Sequence, residues 1–167
     1  MTRMSSWLVR GLAMTAVHVL ARILLGVAVV EAPLNSTVWR TVAIAAVVLV
    51  ALVWGGGFDG IRDARANPDP DDYGGDLTVR WLKAGVLAGG VAAGLISWII
   101  GNTVLAGIGQ AGLFVELIAG ASFTALLVFV PAFVGAAIGR WLIRREQNNG
   151  AEDDWSVHED RHADAAR

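Results

Sequence analysis

Three ionisable residues stand inside long apolar stretches, His18 and Arg22 in one and Glu116 in another. A charged side chain near a bilayer centre costs at least about 2.5–3.5 kcal/mol, so such residues are the default candidates for an ion or proton pathway. In that role Glu116 is the protonatable group, Arg22 its counter-charge and His18 a relay, because imidazole titrates near neutral pH. Arg10, Met14, His18 and Arg22 follow one another at i, i+4. That row drifts by about 40° per step and stays within roughly a third of the helix circumference. Gly120 and Thr124 follow Glu116 at the same spacing.

Depth restricts the pairings. Arg22 lies eight residues before Val30, which places it about 12 Å below the outer boundary at 1.5 Å per residue. Glu116 falls a few residues below the same boundary, so an Arg22–Glu116 contact is geometrically allowed, with Ser97, Asn102 and Gln110 at similar heights. Arg10 sits near the opposite surface, within reach of Asp59 or Asp63. The plainer alternative is that these pairs brace the bundle, or that Arg10 snorkels to headgroups.

The elements that must carry these residues are four apolar runs, at about 7–30, 38–54, 81–104 and 113–139. A hydrocarbon core of about 30 Å needs about 20 helical residues to cross it. Hydrophobic residues make up 55% of the 167-residue chain, and the mean hydropathy is +0.56. The expected fold is therefore an all-α membrane bundle of four transmembrane helices, filling residues 1–145. Cysteine is absent, which excludes disulfides, thiolate metal sites and cysteine nucleophiles. His18 and Arg22 interrupt the first run, and Pro33 follows the nearest small-residue site, so this run reads as an uncleaved helix and not a signal peptide.

Orientation follows from the cations. Of thirteen Lys and Arg residues, Arg22 lies inside the first run and Arg40 at the start of the second. The other eleven fall at the N-terminus, in the 55–83 region and after Gly139, while 31–37 and 105–112 have none. The positive-inside rule then places both termini in the cytoplasm of a multi-pass cell-membrane protein. Trp7, Trp39, Trp54, Trp81 and Trp141 fall at run ends, where interfacial anchoring is expected. The second run is wholly apolar from Val42 to Val53 and is expected to be peripheral and lipid-facing. Gly90, Gly94, Ser97 and Gly101 share one face of the third run, where small residues permit close helix approach.

Gly55, Gly56 and Gly57 are expected to end the second helix, and two prolines near Asn67 to block a helix through the middle of a cytoplasmic loop at 55–80. Asp59, Arg62 and Asp63 mark that loop, whose mixed charges read as solvated and self-paired, with Asp76 as the N-cap of the next helix. Residues 146–167 are polar and acidic and are expected to be a disordered cytoplasmic tail. His158, Glu159 and His162 match the H-E-x-x-H pattern by letter only, without the third ligand or apolar cleft that zinc chemistry needs. No metal, cofactor or nucleic acid is expected. Arg140, Arg144 and Arg145 are placed to meet anionic headgroups of the bilayer.

Three stretches carry a family resemblance. They are Trp54-Gly55-Gly56-Gly57-Phe58-Asp59-Gly60-Ile61-Arg62-Asp63, then Asn67-Pro68-Asp69-Pro70-Asp71-Asp72, then Asp76-Leu77-Thr78-Val79-Arg80-Trp81-Leu82-Lys83. Together with Phe114-Val115-Glu116-Leu117 and Ala125-Leu126-Leu127-Val128-Phe129-Val130-Pro131, the chain resembles small actinobacterial four-helix proteins of the drug/metabolite transporter superfamily over about residues 7–145. The resemblance implies transport. The better-known small multidrug exporters carry a membrane glutamate in the first helix, whereas here His18 and Arg22 occupy that helix and Glu116 the fourth. Two functions are therefore expected from different classes. One is a small transporter of unknown substrate, homo-oligomeric because four helices enclose little space. The other is a non-catalytic membrane subunit or scaffold that binds partner helices. No nucleophile, base and metal constellation suggests an enzyme.

Overall fold

A computed structural model describes residues 3–67, 75–89, 94–103 and 112–165, with the side chains of 3–5, 56, 75, 76, 97, 101, 116 and 150–165 outside the description. Every regular element among the described residues is helical. Four helical stretches are long and apolar enough to cross a membrane: Ser6–Glu31, Pro33–Ala66, Leu77–Ile100 and Leu113–Asn149. The shortest has 24 residues, or about 36 Å of α-helix, which exceeds the hydrocarbon thickness.

Helix α1 (Arg3–Glu31) contains no proline and ends just before one. Pro33 opens a single 3-10 turn, Pro33–Asn35, and its fixed φ disfavours helix at the residue before it. Helix α2 (Ser36–Val53) returns antiparallel to α1. The glycines that were expected to stop α2 do not stop it. The chain continues as a π-helical segment, Trp54–Gly60, into α3 (Ile61–Ala66), and the helix ends at Asn67. The physical reason lies on the neighbouring helix. A Cβ on Gly55 would fall 2.7 Å from Ala132 Cα, and one on Gly60 would fall 2.6 Å from the Ala136 carbonyl oxygen. These glycines let two backbones touch, a packing role that outweighs their weak helix propensity.

Helix α4 (Gly75–Val86) begins inside what reads as loop from the sequence, and α5 (Gly94–Thr103) follows it. A short α6 (Leu113–Val115) leads through a π-helical segment, Glu116–Gly120, into α7 (Ala121–Ala165). Pro131 lies inside α7 and is buried. Helix α7 runs on to Ala165, and after Gly150 its sequence holds neither glycine nor proline.

Small side chains dominate the core. Met14, Val47, Ala51, Trp81, Ala84, Ala88, Val128 and Ala132 are all buried. Helix α2 is therefore not simply peripheral. Val47 and Ala51, one turn apart, enter the core with Val50 against them, while Val42, Ile44, Leu49 and Val53 point outward. Of the expected small-residue face of the third span, Gly90 and the side chains of Ser97 and Gly101 lie outside the described residues, while Gly94 is buried. Among the described residues, Gly85 and Gly89 approach α7 closely. A Cβ on Gly89 would fall 2.6 Å from Ala125 N. Lipid tails are as apolar as leucine, so this close backbone contact, and not transfer from water, is what favours association.

Burial is uneven along the bundle axis. On α1 no described residue beyond His18 is buried, and on α2 none before Val47 is buried. Among the described residues of these two helices, the buried positions therefore lie in the half away from the Pro33–Asn35 turn.

Candidate site: an interhelical charge cluster beneath a buried histidine

Asp59 sits in the π-helical segment after α2 and is only 7% exposed. Its carboxylate accepts three hydrogen bonds. Arg10 of α1 donates from Nε to Oδ2 and from Nη2 to Oδ1, both at 2.6 Å, in a bidentate fork. Trp81 of α4 donates its indole N–H to Oδ2 at 3.0 Å. Arg10 Nη1 also donates to the Ser6 carbonyl at 2.7 Å, so the guanidinium is held by its own helix as well. One carboxylate thereby ties three spans together. Paired, bidentate geometry is what offsets the desolvation of two buried charges.

A second bridge lies one turn further on. Asp63 of α3 pairs with Arg140 of α7, and Asn67 Nδ2 donates to the other Asp63 oxygen at 3.4 Å. Asp59 and Asp63 are four apart on one helix face, so a single helical turn reaches α1, α4 and α7.

Trp81 was expected to anchor at the membrane interface. It is instead 1% exposed, stacked edge-to-face on Trp54 with centroids 6.1 Å apart. The cause is the Asp59 acceptor, which satisfies the indole N–H inside the protein. Trp141, by contrast, is 57% exposed. Sequence reasoning named the Arg10–Asp59 contact but not Trp81. The available signal was a tryptophan four residues after Leu77 on a face shared with Ala84, Gly85 and Ala88.

Two turns above Arg10 on the same α1 face lies His18, buried at 6% exposure. Its Nε2 is 3.3 Å from Thr124 Oγ1 of α7, and among the described residues its Nδ1 has no hydrogen-bond partner. Thr15, also buried, turns its hydroxyl back to the Gly11 carbonyl at 2.7 Å. A buried imidazole with a free ring nitrogen can hold or pass a proton, provided a mobile group or water reaches it.

The remaining candidates are dispersed. Arg22 is half-buried on α1. The side chains of Glu116 and Ser97 lie outside the described residues, as does Gln110, so the Arg22–Glu116 contact is not on view. Asn102 is exposed and donates to the Trp98 carbonyl of its own helix at 2.8 Å, away from the interior. Arg62 is exposed on α3. Among the described residues no three His, Asp or Glu converge to hold a metal ion.

Beyond the histidine, the halves of α1 and α2 nearer the Pro33–Asn35 turn leave a cleft of about 450 Å³ between them. Ala21, Leu24 and Ala28 line one wall, and Trp39, Ala43 and Ala46 the other. The arrangement is thus an apolar cleft at one end, a buried His18–Thr124 pair in the middle and an ion-paired seal at the other end. No protein-family model matches the chain, and no curated protein matches it.

Proposed function

We propose that this chain is a small multi-pass transporter of the drug/metabolite transporter type, working as a homo-oligomer in the cell membrane with both termini in the cytoplasm. The observation that carries the reading is the axial asymmetry of packing. Arg10, Asp59, Trp81, Asp63 and Arg140 close the end that bears the termini, while an apolar groove lies between α1 and α2 toward the other. This asymmetry supports the reading of a carrier open to one side. Ion pairs that hold four helices at one end can exchange for solvent contacts when that end opens. His18 and Thr124 lie at the boundary between the two halves, where a substrate or proton would be handed on. The apolar cleft walls favour a solute with a large hydrocarbon part. The resemblance over residues 7–145 and the cation bias of the same end support the type and the orientation.

The test compares small-molecule contents of cells producing the full chain with cells producing His18→Ala or Thr124→Val variants at equal membrane levels. A compound whose internal level changes with the wild-type chain and not with either variant supports transport. Identical contents in all three overturn it.

A second reading, a subunit that receives a partner helix, draws on the alanines of the cleft. Ala21, Ala28, Ala43 and Ala46 are small enough for a helix to approach closely. Ala46→Leu would then strip a co-purifying membrane protein from the chain, whereas a carrier would lose flux and keep its company.

A further inference from the structure

The His18–Thr124 pair has chemistry that its packing does not use. His18 is 6% exposed and Thr124 1% exposed, and the Thr124 hydroxyl lies 3.3 Å from Nε2. A neutral imidazole has one donor nitrogen and one acceptor nitrogen. Thr124 can satisfy Nε2 in either tautomer, while among the described residues Nδ1 has no partner. A buried site tolerates an unpaired acceptor more readily than an unpaired donor. The packing therefore favours the tautomer with its proton on Nε2 and a bare lone pair on Nδ1. That lone pair is a base with nothing bound to it.

Charging that nitrogen changes the balance. An imidazolium has two N–H donors, and Thr124 meets only one of them. The other needs an acceptor, and a buried charge needs polar company as well. Arg22, one turn along α1, is a second cation, and Arg10, two turns back, is held by Asp59. On α7, Thr124 stands between buried Ala121 and Val128. The core residues of α2 and α4, Val47, Ala51, Trp81, Ala84 and Ala88, do not titrate. Glu116 stands two turns before Thr124, with its side chain outside the described residues. Val17 and Ala21, which flank His18 on α1, line the cleft between α1 and α2, so the cleft floor borders the His18 turn.

We propose that His18 Nδ1 is a proton-binding site served by that cleft, and that a proton taken up there draws water into the α1–α7 contact and opens it. The proton comes from hydronium, which leaves as water, and only the Nδ1–H bond forms. Water entering from the cleft supplies the acceptor that the new N–H lacks and screens the charge from Arg22. Loss of the proton lets the dry contact close again. The site thus couples protonation to hydration of the middle of the bundle, and its place in a transport cycle rests on the carrier reading above.

Solid-state nitrogen-15 NMR of the full chain in lipid bilayers tests this. His158→Gln with His162→Gln leaves His18 as the single histidine. Its ring shifts report its charge, and water-edited spectra report its contact with solvent. Samples from about pH 8 to about pH 4 bracket the ordinary imidazole value near 6.5. The neutral ring should gain signal from water slowly, and the charged ring several-fold faster. Adding Glu116→Gln should leave both the charging and the hydration in place. A ring that stays neutral throughout overturns the proposal. So does a charged ring that stays dry, or a neutral ring that is already wet. If Glu116→Gln abolishes the charging, the carboxylate holds the charged ring and the proposal also falls. None of these outcomes measures transport, so the carrier reading stands or falls separately.

Discussion

Trp81 donates its indole N–H to the same Asp59 oxygen that Arg10 Nε reaches, so one carboxylate of the second span fixes a side chain from the first and one from the third. Neither contact is local in sequence, and each partner is half-buried or buried. Arg140 and Asp63 extend the same layer to the fourth span.

Removing Asp59 alone should therefore be worse than removing the pair. Asp59→Asn leaves the Arg10 guanidinium without its counter-ion, at a cost of about 3 kcal/mol, the lower end for a buried pair because Arg10 retains some exposure. Arg10→Met combined with Asp59→Leu should recover much of that loss. Thermal unfolding of the full chain in one detergent orders the three proteins. A double variant no more stable than Asp59→Asn would mean the charges do not stabilise each other.

Trp81→Phe keeps a ring in the core but deletes the donor to Asp59. A hydrogen bond to a charged group is worth about 1.5–3 kcal/mol, so this change should lower the melting temperature clearly more than Trp141→Phe, whose ring is exposed. Equal effects would place Trp81 at the interface after all.

The glycines of Trp54–Gly60 provide an internal control. Gly55→Ala drives a methyl group into the Ala132 backbone, whereas at Gly57 the nearest neighbour is Val53 Cγ1 at 3.9 Å. The first change should cost about 1–3 kcal/mol by overpacking. The second should be neutral or stabilise by up to about 1 kcal/mol through helix propensity. Melting temperatures of the two variants decide it, and equal shifts would deny the close contact.

Much of this was legible in the chain. Run lengths pointed to four spans, and the charge at Asp59 had no apolar surroundings to prefer, so its approach to Arg10 could be anticipated. Gly55 was misread because glycine has two opposite uses, ending a helix or letting one approach another, and the choice depends on Ala132 nearly eighty residues away. Trp81 was misread for a related reason: a tryptophan at a span end satisfies its N–H equally well with headgroup water or with a buried carboxylate. Helix α2 looked uniform because an Ala/Val stripe carries no polar mark of which side packs.

Arg22 and Glu116 remain the test of the outer half. Opposite charges at matched depth should couple, so Arg22→Ala with Glu116→Ala should be less harmful than the sum of the single changes. Additive melting shifts would separate the two residues.

The most direct measurement of one-sided closure uses the absence of native cysteine. Single cysteines are placed at Ala21, in the outer cleft, and at Met14, in the core one turn above Arg10. Both are treated with a membrane-impermeant maleimide in right-side-out and inside-out vesicles. The account predicts that Ala21→Cys reacts from outside and Met14→Cys resists reaction from inside. Adding Asp59→Asn should raise the inside reaction at Met14→Cys and lower the outside reaction at Ala21→Cys, as one conformation gives way to the other. If Ala21→Cys keeps its outside reactivity when the Asp59 seal is broken, the two ends are not coupled and the carrier account is contradicted.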